Sequence, residues 1–444
     1  MKEPDMLVLL LRTVLPVVLA TLGIENWFFK DDDMPRYNEF RIMELVLSGG
    51  NPVIIGFVQD DNPTDDNRLF TMREYELVNN VWSRVWYFNY DGGQWDDDGY
   101  AITQYRTDDT PPEVRFLGVG FHQVDLPIAA QSTAESGHVV LLDDDGDTVC
   151  ATYTFREDWS DVCCRDVVYI GDLDHDEEVY ATCGWYKDNE DPPITHGFVE
   201  IAYGNTKVER IEDSGIDGTW EEIIYDSSEK LLVLGGFQED DVDGCGNIRL
   251  GCIDLTSTPY EIDEQDDWGS GTYELTDGPL VFVDDGLYIL FGNGIDEIPN
   301  PDVEAVAATF WEWDSGSFPF LQWEYDELYT NDDEFDGYKN VSVFAATYDY
   351  SSDPERVIMI LNAVNEDSND PYILVASIEV DPVNHTLGDM TMIAELEVEL
   401  ESGYTSAGGA DFVFTDTSPV EGIGGGQTNS TSVKKFWIFR IEDS

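Results

Sequence analysis

Positive charge is scarce in this sequence of 444 residues. It contains 22 Lys and Arg residues against 93 Asp and Glu residues, so the formal net charge is 22 − 93 = −71. A chain without a basic stripe cannot release counterions from a polyanion, and an acidic surface repels one. The composition therefore argues against nucleic acid as a partner.

Metal-binding and catalytic signatures are also sparse. The chain has five His and six Cys, and no two Cys are spaced as CxxC, which argues against a structural zinc site. The cysteines leave two interpretations open: local disulfides, such as Cys245 to Cys252 across a short turn, or buried free thiols. No GxSxG, HExxH or P-loop motif is present, and with 93 acids a carboxylate pair for glycoside hydrolysis is not a specific signal.

Apolar residues are not scarce, and this excludes disorder as the explanation of the charge. Hydrophobic residues make up 42% of the chain and aromatic residues 13%, which is enough for a large packed core. An acidic surface of this kind repels itself in dilute buffer, whereas at molar salt the Debye length falls to about 3 Å. In composition the chain resembles proteins of extreme halophiles, so we expect a high-salt environment.

Strand patterns recur along the chain, and helical periodicity is nearly absent after residue 23. An apolar strand followed by a polar loop appears seven times, and in the first four copies a Gly precedes an aromatic residue. These strands lie at 52–61, 114–123, 179–188, 231–240, 287–296, 357–367 and 410–418. Further strands before and after each copy bring most units to four strands.

This repeat resembles a seven-bladed β-propeller, an all-β fold with four-stranded antiparallel blades. The resemblance covers 24–444 and concerns architecture alone, because no WD or kelch signature repeats. A pair of β-sandwiches is the alternative. The last unit ends one strand short at 434–442, so we predict that 24–33 supplies its outer strand and closes the ring.

One face of such a propeller carries the longer loops, between the second and third strands and between blades. Long loops on a rigid scaffold are where binding usually occurs. The Gly-rich stretch within 415–433 is predicted to be the longest of them. We predict that a partner binds this face, through Gln59, Asp60, Trp95, His122, Gln123, Lys187, Gln238 and Asn293.

An acidic stretch at 172–178 is the candidate calcium site. Asp172, Asp174 and Asp176 alternate along it, and alternating oxygen donors on a tight turn suit a hard cation. The stretch is similar to the calcium loop of FG-GAP propeller repeats. That resemblance implies these three residues as ligands, and we add Glu178 as a fourth. Apart from calcium, no cofactor is expected.

The segment Met6 to Leu22 is apolar except for Arg12 and two Thr. It is a poor signal peptide and, with Arg12 and Pro16, a marginal membrane-spanning helix. We predict two parts of the chain: 1–23 as an anchor or docking segment, and 24–444 as the propeller. Membrane contact is expected only through 1–23, which otherwise joins a larger assembly or packs as an ordinary buried element.

Together these features predict a non-enzymatic recognition or structural protein on a virion or extracellular surface in high salt. The specific prediction is a virion component of a halophile system, such as a tail, fibre, turret or spike, that binds a protein or glycan on a host or cell surface. We expect a homo-oligomer or a part of a larger complex. The alternatives are a secreted or cell-surface adhesin, and a propeller-type glycan hydrolase or lyase.

Overall fold

The computed structural model describes residues 22–443 with short gaps. The gaps are 29–36, 61–67, 80, 91–95, 108–110, 125–133, 155–158, 172–178, 189–193, 204–205, 214–216, 240–245, 263, 269–272, 297–303, 315–320, 331–333, 401–403, 418 and 431–433. The predicted calcium loop, Trp95, Cys245 and most of the N-terminal segment lie outside the described residues. No helix in the described ranges is long and apolar enough to cross a membrane.

The chain folds into seven antiparallel blades of four strands each, and the prediction of a seven-bladed β-propeller is confirmed. Blades 1 and 2 are formed by β2 (Tyr37–Ser48), β3 (Asn51–Asp60), β4 (Arg68–Val78), β5 (Val81–Tyr90), then β6 (Asp97–Arg106), β7 (Val114–Val124), β8 (Ala134–Asp143) and β9 (Thr148–Thr154). Blades 3 and 4 are formed by β10 (Trp159–Gly171), β11 (Val179–Asp188), β12 (Thr195–Tyr203), β13 (Thr206–Asp213), then β14 (Gly218–Asp226), β15 (Leu231–Glu239), β16 (Gly246–Asp254) and β17 (Glu264–Trp268).

The remaining blades follow the same order. Blades 5 and 6 are formed by β18 (Tyr273–Asp284), β19 (Leu287–Asp296), β20 (Glu304–Trp313), β21 (Leu321–Thr330), then β22 (Tyr338–Asp349), β23 (Arg356–Asn365), β24 (Pro371–Asp381) and β25 (Thr386–Glu397). Blade 7 consists of β26 (Tyr404–Thr417), β27 (Val420–Ser430), β28 (Lys434–Asp443) and the N-terminal strand β1 (Leu22–Phe28). Within each blade we call the strands a to d, from the channel outward.

The predicted ring closure is confirmed for the described part of 24–33, whereas 29–33 lies outside the described residues. Strand β1 pairs antiparallel with β28 from Leu22↔Asp443 to Phe28↔Trp437, so the N-terminal strand is the outer strand of the last blade. A single parallel bridge, Glu39↔Lys434, also joins β28 to β2 and links blade 7 to blade 1. Leu22 and Ile24 pack against the core between blades 6 and 7, which fixes β1 by apolar contacts as well as by its ladder.

The Gly-rich stretch of blade 7 corrects one prediction. Val420–Ser430 is strand b and not a loop, and the predicted core strand at 410–418 belongs to strand a. Glycines offer no side chain for a core, so a Gly-rich run is typical of a loop. Here neighbouring side chains fill the space instead: the Phe439 ring lies against Gly424, and Ile42 and Leu45 lie against Gly425.

The hydrophobic core lies in layers between adjacent blades. In β15, Leu232 and Leu234 pack towards blade 3, whereas Leu231 and Val233 pack towards blade 5. Strand b is buried on both faces, and this explains why it is a continuous apolar run in the sequence rather than an alternating one.

Cys245 lies outside the described residues, so its disulfide to Cys252 remains a prediction. Cys150 and Cys183 are free thiols, in agreement with the second interpretation of the cysteines. Their pKa values are consistent with inert groups where a shift is resolved: burial raises the pKa of the Cys183 and Cys150 thiols.

Candidate functional site

Every strand a has a β-bulge at the same height in the channel. In the register with strand b, one residue is skipped in six blades, and in blade 5 the pair Gly278 and Pro279 is skipped. The single bulged residues are Met43, Tyr100, Arg165, Glu221, Phe344 and Ala410. A bulge re-aims side chains and is common beside active sites.

The glycine of the repeated Gly-aromatic motif lies opposite this bulge. Gly56 pairs with Ile42, the residue before the bulge, and a β-carbon on Gly56 would lie 1.9 Å from the carbonyl oxygen of Arg41. Gly120 has the same relation to Asp98, also at 1.9 Å. The bend in strand a thus requires a residue without a side chain on strand b. Glycines occupy this position in all blades except the sixth: Gly56, Gly120, Gly184, Gly236, Gly292 and Gly426.

The bulges surround a cavity of about 280 Å³ in the channel, to which all seven blades contribute. Its polar lining includes four carboxylates that directly follow a bulge. These are Glu44, Asp166, Glu222 and Asp411, and all four side chains are half-buried. Pro279, Phe344 and Ala410 form part of its apolar lining.

Three of these carboxylates also connect neighbouring blades. Glu44 Oε2 accepts a hydrogen bond of 2.6 Å from the Ile102 N–H of blade 2. Asp166 Oδ2 accepts one of 2.7 Å from the Ile223 N–H of blade 4. Asp411 Oδ2 accepts one of 2.9 Å from the Leu45 N–H of blade 1. Each donor is the first or second residue after a bulge, so the acid binds an N–H that the distorted ladder leaves available.

Burial and mutual repulsion raise the pKa values of the channel acids. Burial, followed by the charges of Asp166, Asp411 and Glu222, raises the pKa of Glu44 well above its usual value. Burial raises the pKa of Asp166 to about 7, although backbone N–H groups of Ile223 and Val167 oppose the rise. Burial raises the pKa of Asp411 to about 6 against similar opposition. At neutral pH the cavity therefore contains both protonated and ionised carboxyl groups.

A cation–aromatic stack continues the channel wall across blades 1 to 4. The Arg165 guanidinium forms an ion pair with Glu221 and lies 4.3 Å from the centroid of the Tyr100 ring. Tyr100 lies 6.0 Å from Phe121, and Arg68 lies 5.8 Å from Phe121. Arg68 pairs with Asp98 at 2.6 Å, which ties blade 1 to blade 2. Burial raises the pKa of the Tyr100 hydroxyl, so this group stays protonated at neutral pH.

The residues predicted to bind a partner lie at one face of the ring but not around the cavity. They are in the last residues of strand b: Gln59 and Asp60 in β3, His122 and Gln123 in β7, Lys187 in β11, Gln238 in β15 and Asn293 in β19. None of these is among the described residues that line the cavity. The Asn293 side chain is engaged between blades 5 and 6, because its amide bonds both the N–H and the C=O of Val343. Trp95 lies outside the described residues.

The metal prediction remains a prediction. Asp172, Asp174, Asp176 and Glu178 lie outside the described residues, in the connection between β10 and β11. In the described parts of the chain, no group of three or more His, Cys, Asp or Glu is placed to hold a metal ion. Another acidic stretch, at 143–147, forms a hairpin turn in which Asp143 Oδ1 accepts hydrogen bonds from the N–H groups of Asp145 and Asp147.

Comparison with known proteins gives structural matches and no sequence family. No family model and no curated protein matches the chain. Glycoside Hydrolase family 32 from Bifidobacterium adolescentis matches with a TM-score of 0.34 and 14% identity, over 94% of this chain and 79% of that one. The NanB sialidase from Streptococcus pneumoniae matches with a TM-score of 0.43 and 12% identity, over 93% and 70%. A second NanB structure, with Optactamide, matches with a TM-score of 0.44 and 11% identity, over 95% and 70%.

These matches correct the prediction that the protein is not an enzyme. The solved structures that match more than nine-tenths of this chain include a glycoside hydrolase and a sialidase, so the exclusion of catalysis drawn from missing motifs is wrong. At these identities and TM-scores the likeness concerns the fold and carries no substrate.

Sequence reasoning missed the channel carboxylates, although a signal for them exists. The Gly of the Gly-aromatic motif marks the bulge, and the channel residue follows the bulge on the preceding strand. In the first blade this rule leads from Gly56 to Glu44. In the third blade it leads from Gly184 to Asp166. Without the bulge, nothing in the sequence distinguishes the channel carboxylates from the other Asp and Glu residues, of which the chain has 93 in total.

Proposed function

We propose that this protein binds a glycan at the central channel and hydrolyses a glycosidic bond there. The observation that carries the proposal is a set of carboxyl groups in one cavity whose environments separate their pKa values. Pairs of this kind supply the two carboxyl groups of glycoside hydrolysis. One carboxylic acid protonates the leaving oxygen, and one carboxylate either attacks the anomeric carbon or activates a water molecule.

Glu44 is the acid in this proposal. Burial, followed by the charges of three neighbouring carboxylates, raises its pKa well above the usual value, which favours the protonated form. One oxygen, Oε2, is fixed by the Ile102 N–H, which leaves Oε1 to carry the proton. A protonated carboxyl held from one side is suited to donate to a leaving group in the cavity.

Asp411 is the carboxylate. With a pKa of about 6 it is ionised at pH 7 and above. The Leu45 and Phe412 N–H groups hold its two oxygens at 2.9 and 2.7 Å, so its position is set by two blades. The charge of Asp411 raises the pKa of Glu44, so the ionised carboxylate favours the protonated form of the acid. Asp166, whose pKa is raised to about 7, raises the pKa of Glu44 through its charge.

The test is hydrolysis of a panel of 4-methylumbelliferyl glycosides at about 3 M KCl, where surface repulsion is screened. Glu44→Gln and Asp411→Asn are expected to lower kcat by about 10²-fold or more with the fold retained. Asp226→Asn is the matched control, since Asp226 also binds a neighbouring blade, through the Gly286 N–H and the Tyr288 hydroxyl, but does not line the cavity. Equal loss in all three variants, or no hydrolysis by the unmodified protein, would refute the proposal.

Display on a surface in high salt is the second part of the proposed function. The net charge of −71 favours a saline environment, and the apolar stretch at Met6 to Leu22 favours attachment to a larger assembly. A virion component that meets a host glycan, or a secreted or cell-surface adhesin, would bring the channel to its substrate. Because Leu22 begins β1, a deletion that tests attachment has to end at residue 21. The deleted protein should stay folded and fail to join its assembly; assembly of the truncated protein would refute the attachment role.

A further inference from the structure

The charged groups around the channel cavity are predominantly acidic. Five carboxylates and one guanidinium belong to its lining: Glu44, Asp166, Glu221, Glu222 and Asp411 against Arg165. Even with some of the carboxyls protonated, the lining holds no excess of positive charge. A ligand that carries an anion into the cavity therefore meets repulsion and not attraction.

The one guanidinium of the lining is already engaged. Arg165 Nε donates to Glu221 Oε2, and its face lies 4.3 Å from the centroid of the Tyr100 ring. Glu221 is buried, so separating it from Arg165 would leave a buried carboxylate without its counter-charge. The arginine thus forms part of the wall and is not available as a bidentate partner for a ligand carboxylate.

The other side of the cavity is apolar. Phe344 occupies the bulge of blade 6 beside Pro279 of blade 5 and Ala410 of blade 7. The Phe344 ring is seated over Gly409, where a β-carbon would lie 2.4 Å from it, so the ring has a fixed position. An aromatic and apolar surface facing carboxylates matches a sugar ring, which presents C–H groups on one face and hydroxyl donors at its edge.

We propose that the sugar unit bound in the channel carries no negative charge. This inference rests on the proposed glycan-hydrolysing function and names its substrate class: glycosides of neutral sugars, and not of sialic or uronic acids. The cavity volume of about 280 Å³ lies at the small end of ligand sites, so one sugar ring is the unit that it selects.

High salt does not remove this selection. Screening at molar salt acts between exposed charges, whereas the channel carboxylates are half-buried and a bound anion would lie beside them. The discrimination should therefore be similar at about 1 M and about 3 M KCl, which separates it from any effect of the outer acidic surface.

The experiment compares 4-methylumbelliferyl derivatives of neutral hexoses with those of N-acetylneuraminic and glucuronic acid. We expect kcat/KM for the best neutral glycoside to exceed that of either acid by at least about 100-fold. Glu221→Gln should raise the relative rate on the acidic glycosides about tenfold, because it frees the Arg165 guanidinium. Asp226→Asn, which keeps the cavity intact, should leave the ratio unchanged.

The outcomes separate this inference from the function on which it rests. Hydrolysis of an acidic glycoside at a rate similar to the neutral ones overturns the inference and leaves the hydrolase proposal standing. If no glycoside is hydrolysed, the hydrolase proposal fails, and binding of methyl β-glucopyranoside and methyl α-N-acetylneuraminide, followed by ligand-observed NMR, decides the inference. Binding of the neutral glycoside alone, weakened by Phe344→Ala, supports it, whereas binding of the acid, or of neither, overturns it.

Discussion

Two sets of polar contacts between neighbouring blades differ in charge. In one arc of the ring, Asp411, Glu44 and Asp166 each accept one backbone N–H from the next blade. In the other arc, Asn293 and Asn362 use a side-chain amide that accepts an N–H and donates to a C=O of the next blade. The amide contacts satisfy two backbone groups, and the carboxylate contacts satisfy one.

This difference separates structure from chemistry. A neutral amide forms the contact without the cost of desolvating a charge, so it stabilises the contact between two blades more than a carboxylate does. A carboxylate in the same setting has a raised pKa and lowers stability at neutral pH. In the proposed function the acidic arc holds the reacting groups, whereas the amide arc joins blades without a titrating group.

The outer surface and the channel should respond differently to salt, and this is the largest expected effect. Between about 0.1 M and 3 M KCl the free energy of unfolding should rise by upward of about 3 kcal/mol, because screening removes repulsion within a net charge of −71. Urea unfolding across a salt titration measures it. Stability that is flat or falling with salt would show that surface charge is not limiting.

Breaking an amide contact should cost more than altering a carboxylate one. Asn362→Leu leaves the N–H and C=O of Gly409 without their partner and should destabilise the fold by about 2 kcal/mol. The loss should be equal at pH 5 and pH 8, since no titrating group is involved, and urea unfolding at both pH values checks this. Asn384→Ala, in an exposed turn, is the control and should change stability by less than about 0.5 kcal/mol.

The same site allows a sharper comparison. Asn362→Asp converts an amide contact into a carboxylate one, so its destabilisation should grow as the pH rises from 5 to 8. A loss independent of pH in this variant would contradict the charge-based distinction between the two arcs.

Asp226, which ends strand a of blade 4, should show the opposite pH dependence of stability. Burial alone would raise the pKa of Asp226, but hydrogen bonds from Ser228, Tyr288, Glu229 and Gly286 outweigh it and the pKa is lowered. Its contribution is therefore present above the unfolded pKa of about 3.9 and is lost as the pH falls. Asp226→Asn should destabilise by about 1.5 kcal/mol at pH 7 and by less at pH 3, as measured by thermal unfolding.

Removing a channel charge should instead stabilise the protein at high pH. Folding raises the pKa of Asp411 to about 6, so stability is lost as the pH rises from about 4 through 6. Asp411→Asn keeps a hydrogen-bond acceptor for the Leu45 N–H and should add about 1 kcal/mol at pH 8 and little at pH 4. A variant less stable than the parent at pH 8 would show that ionised Asp411 stabilises the contact between blades 7 and 1.

The fold could be predicted from the sequence more fully than the site. The strand repeat predicted seven blades, and the missing last strand predicted the pairing of 24–33 with 434–442, since both follow from counting strands. The site could not be predicted this way, because it depends on a bulge that brings Glu44, Asp166 and Asp411 into one cavity from residues more than 100 positions apart. A count of acids conveys nothing about such convergence, and a Gly-aromatic pattern does not by itself indicate a bulge on the neighbouring strand.

The smallest expected effect concerns acids outside the channel. If Asp172, Asp174 and Asp176 bind calcium, a few-fold excess of the ion over its Kd should stabilise the protein by about 0.8 kcal/mol at constant ionic strength. Asp174→Ala should abolish this response, whereas Asp411→Asn should preserve it. Differential scanning calorimetry with calcium and with magnesium measures the shift, and an unchanged calcium response in Asp174→Ala would reject the site.

The pairing of β1 with β28 also sets the order of events during synthesis. Leu22 and its partner Asp443 are 443 − 22 = 421 positions apart, so at 5–20 residues per second the ribosome needs about 20 to 80 s to make the partner of the first strand. Until then β1 has no strand to pair with, and blade 7 is incomplete. The ring is therefore completed only after translation of the last blade, and a nascent chain has to keep an apolar strand from pairing elsewhere for most of its synthesis.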